Sequence, residues 1–182
     1  DMINISNDKI AEFKNDPSVV LATLEILHTG FLMFNVNNEY LKDVRVRQAI
    51  SMAIDRVKLC QTVLSGAAEP AYTFLCKGLI GYDENANIEY NPEKAKELLK
   101  EAGYSNGFSI DIYQTQDSKA SLKLNTALQG SLAEIGIKLN IIQIDEGSWV
   151  DMRNQGKLTM YTGDWWGDYV DPDNFLYTFF YS

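Results

Sequence analysis

Residues 91–144 read NPEKAKELLKEAGYSNGFSIDIYQTQDSKASLKLNTALQGSLAEIGIKLNIIQI, and helical and strand-like spacing alternate twice along them. Asn91 directly precedes a proline, which is typical of a helix start because asparagine can cap the first turn. Apolar residues then alternate over 108–113, follow an amphipathic helical pattern over 122–135 and alternate again over 137–144. This order predicts an α/β fold in which helices pack on a mixed or parallel sheet.

The same kind of pattern extends to both sides of this stretch. The further predicted helices begin at Asn7 or Asp8, Asp43, Asp55, Gly147 and Asp171, and the further predicted strands cover 2–5, 18–27, 31–37 and 158–165. Periodicity is lost over 67–91, which we expect to be a long connection. Because there is no repeat, low-complexity segment or linker, we expect a single domain over residues 1–182.

The composition excludes several classes of function. The chain has 182 residues, 46% of them hydrophobic, and its 16 Lys+Arg against 25 Asp+Glu give a net charge of −9. That balance is typical of a folded domain and disfavours nucleic acid, which is bound through clustered basic residues. No apolar run approaches the about 20 residues of a membrane span. His28 is the only histidine, which disfavours most metal sites and histidine-dependent catalysis. We expect no enzyme, no metal and no cofactor.

The two cysteines carry little functional signal. Cys60 falls on an apolar helical stripe and is expected to be a buried free thiol. A disulfide between Cys60 and Cys76 is the alternative, and it requires an exported protein.

Aromatic and acidic residues crowd together near the end of the chain. The loop that leaves the last predicted strand is where ligands tend to bind in α/β sheets. An adjacent Trp pair on a strand points one ring to each face, so one ring can be core and the other can face a ligand. The predicted ligand-binding residues are Asp164, Trp165, Trp166, Asp168 and Tyr169.

Two other interpretations apply to this segment. The aromatic residues of the last helix are more typical of core, and Asp171 is more typical of a helix cap. Asp168 and Asp171 could form the acid/base pair of a glycosidase, but nothing else in the chain supports an enzyme.

Five segments in order carry a resemblance to a known family. They are FLMFN from Phe31, DVRVRQAISMAIDR from Asp43, NPEKAKELLKEAGY from Asn91, IGIKL from Ile135 and WWGDYVDPDNFL from Trp165. From about residue 25 to its end, the chain resembles the extracellular solute-binding proteins, family 5, the peptide- and oligopeptide-binding components of ABC importers.

The resemblance implies a periplasmic-binding-protein-like type II lobe, with a mixed sheet flanked by helices. It implies that the chain is the C-terminal lobe of a longer, exported two-lobed protein, truncated at both ends relative to the family. The expected partners are a peptide ligand, the N-terminal lobe of the parent chain and ABC permease subunits. The expected location is the periplasm or the extracellular face of the cell envelope. In the second case the parent would be a lipoprotein, and only its lipid anchor would touch the membrane.

The resemblance also assigns roles within the W-x-x-D-Y motif. It implies that Asp168 holds the α-ammonium of a peptide, that residues 164–166 pair with the peptide main chain, and that Trp165 and Trp166 line side-chain pockets. Asp164 stands where the family more often has glycine, and Val170 replaces a usual proline. Because of these departures, a carbohydrate or another non-peptide solute is the alternative ligand. Nickel is disfavoured because His28 is the only histidine and lies far from the motif in sequence.

Overall fold

The computed structural model describes residues 5, 9–22 and 26–181, which contain seven helices and four strands. The elements are α1 (Ile10–Phe13), β1 (His28–Phe34), α2 (Val44–Met52), α3 (Arg56–Thr62), α4 (Pro92–Glu101), β2 (Phe108–Thr115), α5 (Lys119–Glu134), β3 (Ile137–Ile144), α6 (Glu146–Asn154), β4 (Met160–Trp166) and α7 (Asp173–Phe180). The connection over 67–91 contains neither helix nor strand, as predicted.

The strands pair in both orientations. β2 and β3 are parallel, and α5 is the crossover between them. β1 and β4 are antiparallel, and most of the chain lies between these two strands in sequence. The pairing is therefore mixed, as predicted, but it divides into two two-stranded sheets in place of one continuous sheet. β2 lies against β4, so the two sheets adjoin.

One apolar core joins the helices to the parallel pair. Alternate residues of β2 and β3 are buried, because successive side chains of a strand point to opposite faces. The fully or almost fully buried core residues include Val46, Ile50, Leu99, Ile112, Leu132, Ile137 and Leu139. On α4, Ala95 and Leu99 are buried in this core, and Leu98 and Ala102 are partly buried against it.

Local capping signals placed the starts of three helices, α2, α3 and α4. The side chains of Asp43, Asp55 and Asn91 each accept a hydrogen bond from a main-chain amide in the following turn, at 2.9, 2.9 and 3.0 Å. The last helix begins later than predicted, at Asp173. Asp171 nevertheless accepts the main-chain amide of Asp173 at 2.8 Å, so its carboxylate does satisfy a donor at the helix start.

The strand predicted over 18–27 is wrong for the described residues of that range. Residues 18–22 and 26–27 are not in a strand, and β1 begins at His28. A strand needs a partner as well as β-branched residues, and the pairing of β4 with β1 ends where Trp166 meets His28. The caps predicted at Asn7 and Asp8 lie outside the described residues. The strand predicted over 2–5 also lies outside them except for Ile5, which is not in a strand.

Both cysteine thiols are free. Cys60 is buried, as predicted, and burial raises the pKa of its thiol. Cys76, on the long connection, places its sulfur 3.0 Å from the hydroxyl of Thr29 on β1. Among the described helices, none is long and apolar enough to cross a membrane.

Candidate functional site

The predicted site residues lie on β4 and on the loop that follows it. The side chains of Asp164 and Trp166 share one face of β4, and that of Trp165 points to the other, as expected for a strand. Trp166 is 55% exposed, whereas Trp165 is half-buried against α7. The two rings point to opposite faces, as predicted, and the packed ring of Trp165 is the one that lines a groove along β4.

Trp165 is held in place by α7. Its indole nitrogen donates to Oδ1 of Asn174 at 3.0 Å, and its ring meets Phe179 edge to face at a centroid distance of 5.2 Å. Phe74, from the long connection, packs against Phe31, Phe175, Phe179 and Phe180. Phe175 and Phe179 of α7 thus form a local core that supports β4, whereas Tyr177 and Phe180 are 58% and 65% exposed.

Asp164 and Trp166 form a cluster with a residue from β1. Oδ2 of Asp164 accepts the indole N–H of Trp166 at 2.9 Å and lies 3.1 Å from Nε2 of His28. The imidazole ring also stacks on Trp166 at 4.4 Å. His28 is distant from the motif in sequence, and the pairing of β1 with β4 brings it to the site. Sequence reasoning did not include His28 in the site.

Asp168 and Tyr169 follow the end of β4. The main-chain amide of Asp168 donates to Oδ1 of Asn174 at 3.3 Å. Asp168 is an exposed residue. The hydroxyl of Tyr169 donates to Oδ2 of Asp173 at 3.4 Å, and its ring is half exposed. Asn174 thereby joins the loop to Trp165. Its position inside a helical pattern offered no signal of this role.

A groove of about 470 Å³ runs along residues 161–165 of β4, between β2, α6 and α7. Asp164 and Trp165 line it, and Trp166, Asp168 and Tyr169 lie outside its lining. A second cavity, of about 630 Å³, lies along β3 beside α5 and is mostly apolar. The first cavity, which we call the β4 groove, is the one that contains predicted site residues.

The β4 groove contains charged and aromatic residues that the sequence analysis did not select. The guanidinium of Arg153 lies 5.0 Å over the ring of Trp149, and Trp149 meets Tyr161 edge to face at 5.6 Å. Burial raises the pKa of Tyr161, and the positive charge of Arg153 partly opposes that shift. Gln114 on β2 is buried at the groove.

The described residues contain no group of three or more His, Cys, Asp or Glu side chains placed to hold a metal ion. The cluster around Asp164 supplies one imidazole and one carboxylate.

The sequence model for bacterial extracellular solute-binding proteins, family 5 Middle, matches residues 1–182. The dipeptide-binding protein of Escherichia coli is 34% identical over 176 residues, which cover 94% of this chain and 33% of that protein. Heme-binding protein A of Haemophilus influenzae is 35% identical over 175 residues, which cover 92% of this chain and 31% of that protein. The chain therefore spans about a third of the length of these relatives.

Solved structures show the same fold. An ABC transporter-associated periplasmic binding protein of Helicobacter pylori, in complex with the peptide STSA, matches with a TM-score of 0.88 and 32% identity, over 96% of this chain and 34% of that one. A protein of Brucella suis in complex with Fe(III)-EDTA matches with a TM-score of 0.83 and 26% identity, over 94% and 37% of the two chains. The predicted periplasmic-binding-protein-like α/β fold is confirmed.

Proposed function

Because the chain belongs to the bacterial extracellular solute-binding proteins, family 5, we propose that it is one lobe of a two-lobed receptor that delivers extended peptides to an ABC importer. In this proposal, residues 1–182 form a single domain, which is the C-terminal lobe. The N-terminal lobe of the parent chain closes over the ligand. The chain binds and does not catalyse. Its partners are the permease subunits, and its location is the periplasm or, through a lipid anchor on the parent, the outer face of the cell envelope.

The position of Asp168 is the observation that carries this proposal. Its main chain is held by Asn174, and its carboxylate is exposed just beyond the end of β4. A carboxylate on a fixed main chain is suited to a charge-assisted hydrogen bond with an ammonium group. Since one relative is a dipeptide-binding protein and one structural match holds a peptide, the α-ammonium of a peptide is the cation we assign to it.

The strand that precedes Asp168 supports an extended ligand. β4 pairs with β1, and the β4 groove follows residues 161–165. An extended peptide in the groove can add its main chain beside residues 164–166, which provides affinity without reading side chains. Trp165 then borders the ligand from the α7 side. Trp166 and Tyr169, which are more exposed, face the lobe that closes.

A non-peptide solute, such as a carbohydrate, is the second candidate. The aromatic lining of the β4 groove, which includes Trp149, Tyr161 and Trp165, favours it because aromatic faces stack on sugars and other planar or ring-shaped ligands. Heme-binding protein A among the relatives and the Fe(III)-EDTA complex among the structural matches show that related proteins take ligands other than peptides.

Native mass spectrometry of the two-lobed parent protein, purified without added ligand, tests the ligand class. A series of bound masses that dissociate into peptides would support the proposal and give the peptide length. A single non-peptide mass would favour the second candidate and contradict the first.

Substitution of Asp168 tests the mechanism on the same protein. We expect Asp168→Asn to weaken a peptide with a free amino terminus about 10- to 100-fold, the effect of losing a charge-assisted hydrogen bond. Asp171→Asn is the matched control, because Asp171 is in the same loop and its carboxylate accepts only the Asp173 amide among the described residues. Equal effects of the two variants, or equal binding of the N-acetylated peptide to the unsubstituted protein, would contradict the role of Asp168.

A further inference from the structure

The cluster of His28, Asp164 and Trp166 holds an exposed aromatic ring in a fixed orientation. Oδ2 of Asp164 accepts the indole N–H of Trp166 at 2.9 Å, and the imidazole of His28 stacks on the indole with ring centroids 4.4 Å apart. His28 covers one side of the indole, yet Trp166 remains 55% exposed. An aromatic surface is therefore both oriented by its neighbours and open to a ligand.

An open recess lies next to this cluster. Gly30 of β1 is directly opposite Asp164 of β4, and His28 is directly opposite Trp166. Because residues two apart on a strand share a face, all four positions lie on one face of the β1–β4 pair. Gly30 is exposed, and a Cβ added there would meet nothing within 4 Å. The missing side chain leaves a space beside the carboxylate, which we call the Gly30 recess. Glycine inside a strand is often found where a ligand approaches closely.

The carboxylate of Asp164 still has an oxygen available for a ligand. Its contacts with Trp166 and His28 are both made by Oδ2, and Oδ1 accepts no hydrogen bond among the described residues. Within that part of the chain, no lysine or arginine forms an ion pair with it. The Asp164 side chain is 56% exposed and also lines the β4 groove. The Gly30 recess thus combines an acidic acceptor with an open aromatic surface, next to the groove.

We propose that the Gly30 recess binds a guanidinium group of the ligand, through the carboxylate of Asp164 and the ring of Trp166. This inference rests on the proposed solute-binding function, and it adds a cation distinct from the α-ammonium assigned to Asp168. A guanidinium suits both groups, because its N–H donors match a carboxylate and its planar face stacks on an aromatic ring. His28 acts as a positioning residue that holds the carboxylate and the indole. The guanidinium can belong to an arginine side chain of a peptide or to a small guanidinium compound.

Calorimetry on the two-lobed protein tests the inference with matched probes. The probes are trialanine, tripeptides in which one alanine is replaced by arginine or by citrulline, and the free amino acids L-arginine and L-citrulline. Citrulline has nearly the shape of arginine but carries no charge, so each pair isolates the guanidinium charge.

Two variants remove different parts of the recess. Asp164→Asn removes the charge and keeps an oxygen that can accept the Trp166 N–H. Gly30→Val fills the space, and it is expected to fold because a Cβ there has room and valine favours strands. Asp83→Asn is the control, because it removes the same charge from an exposed residue of the long connection that does not line the groove.

We expect an arginine probe to bind about 10- to 100-fold more tightly than its citrulline counterpart. Asp164→Asn and Gly30→Val should each remove this preference, and Asp83→Asn should retain it. A preference among the tripeptides identifies an arginine side chain, and a preference between the free amino acids alone identifies a small guanidinium compound.

Two outcomes contradict the inference and are distinguishable. If trialanine binds but arginine and citrulline probes bind equally, or if either recess variant retains the preference, the guanidinium site is wrong and the peptide function stands. If the unsubstituted protein binds none of the probes, the proposed function itself fails, and this inference fails with it.

Discussion

The indole nitrogen of Trp165 donates a hydrogen bond of 3.0 Å to Oδ1 of Asn174, and that oxygen also accepts the main-chain amide of Asp168 at 3.3 Å. One buried asparagine of α7 therefore holds both the end of β4 and the loop with the exposed carboxylate. The geometry of the candidate site depends on the docking of the last helix as much as on the W-x-x-D-Y motif itself.

We expect Asn174→Leu to lower the free energy of unfolding by about 1–3 kcal/mol, because it leaves two donors without an acceptor in a partly buried place. Urea unfolding of the 182-residue chain measures this. Asn87→Leu is the control: Asn87 is exposed on the long connection, and its replacement should change stability by less than about 0.5 kcal/mol. In the two-lobed protein, Asn174→Leu should also weaken peptide binding. Equal stability of the two variants would show that Asn174 does not anchor the site.

Gly107 precedes β2 at a close approach of two backbones. Its φ is +69°, and a Cβ added there would overlap the carbonyl oxygen of Gly136, which precedes β3. We expect Gly107→Ala to destabilise the chain by about 3 kcal/mol or more, from the left-handed conformation and the backbone clash together.

Gly103→Ala separates these two causes. Its φ is +91°, but a Cβ there meets nothing within 4 Å, so only the conformational cost of about 1–2 kcal/mol should remain. Denaturant unfolding of both variants measures the difference. If they lose the same stability, the contact between residues 107 and 136 does not constrain the parallel pair.

Alkaline pH should destabilise the chain through the tyrosine at the β4 groove. Burial raises the pKa of Tyr161 above its ordinary value of 10.0. A group whose folded-state pKa is raised contributes stability that is complete below the unfolded pKa and is lost as pH rises through the folded pKa. We expect the free energy of unfolding to fall above pH 10, and to fall less in Tyr161→Phe.

Urea unfolding at a series of alkaline pH values measures this loss. Burial also raises the pKa of Tyr113, with a further contribution from Asp111, so part of the loss should persist in Tyr161→Phe and become smaller in the double variant with Tyr113→Phe. The remainder is expected from Tyr40 and Cys60, whose pKa values are raised as well, mainly by burial. An identical pH dependence in Tyr161→Phe and the unsubstituted chain would contradict the burial of this phenol.

Local signals in the sequence were sufficient to place the starts of α2, α3 and α4. The caps at Asp43, Asp55 and Asn91 act within one turn, so neighbouring residues determine where these helices begin. The strand predicted over 18–27 shows the limit of such reasoning. Its residues favour extended structure, but a strand also needs a distant partner, and β4 offers its pairing only from His28 onward.

The sequence by itself determined the α/β class and the family, and it predicted the contiguous part of the candidate site, from Asp164 to Tyr169, because these depend on periodicity and on motifs read along the chain. Only the tertiary structure decided which other residues join that site. His28 arrives through the β1–β4 pairing, Asn174 through the docking of α7, and Gln114, Trp149 and Arg153 of the β4 groove through the packing of β2 and α6 beside β4. His28 is 136 residues from Asp164 in the chain, and no local pattern encodes which distant elements will meet. Asn174 is only nine residues from Trp165, but its contact depends on how α7 folds back against β4.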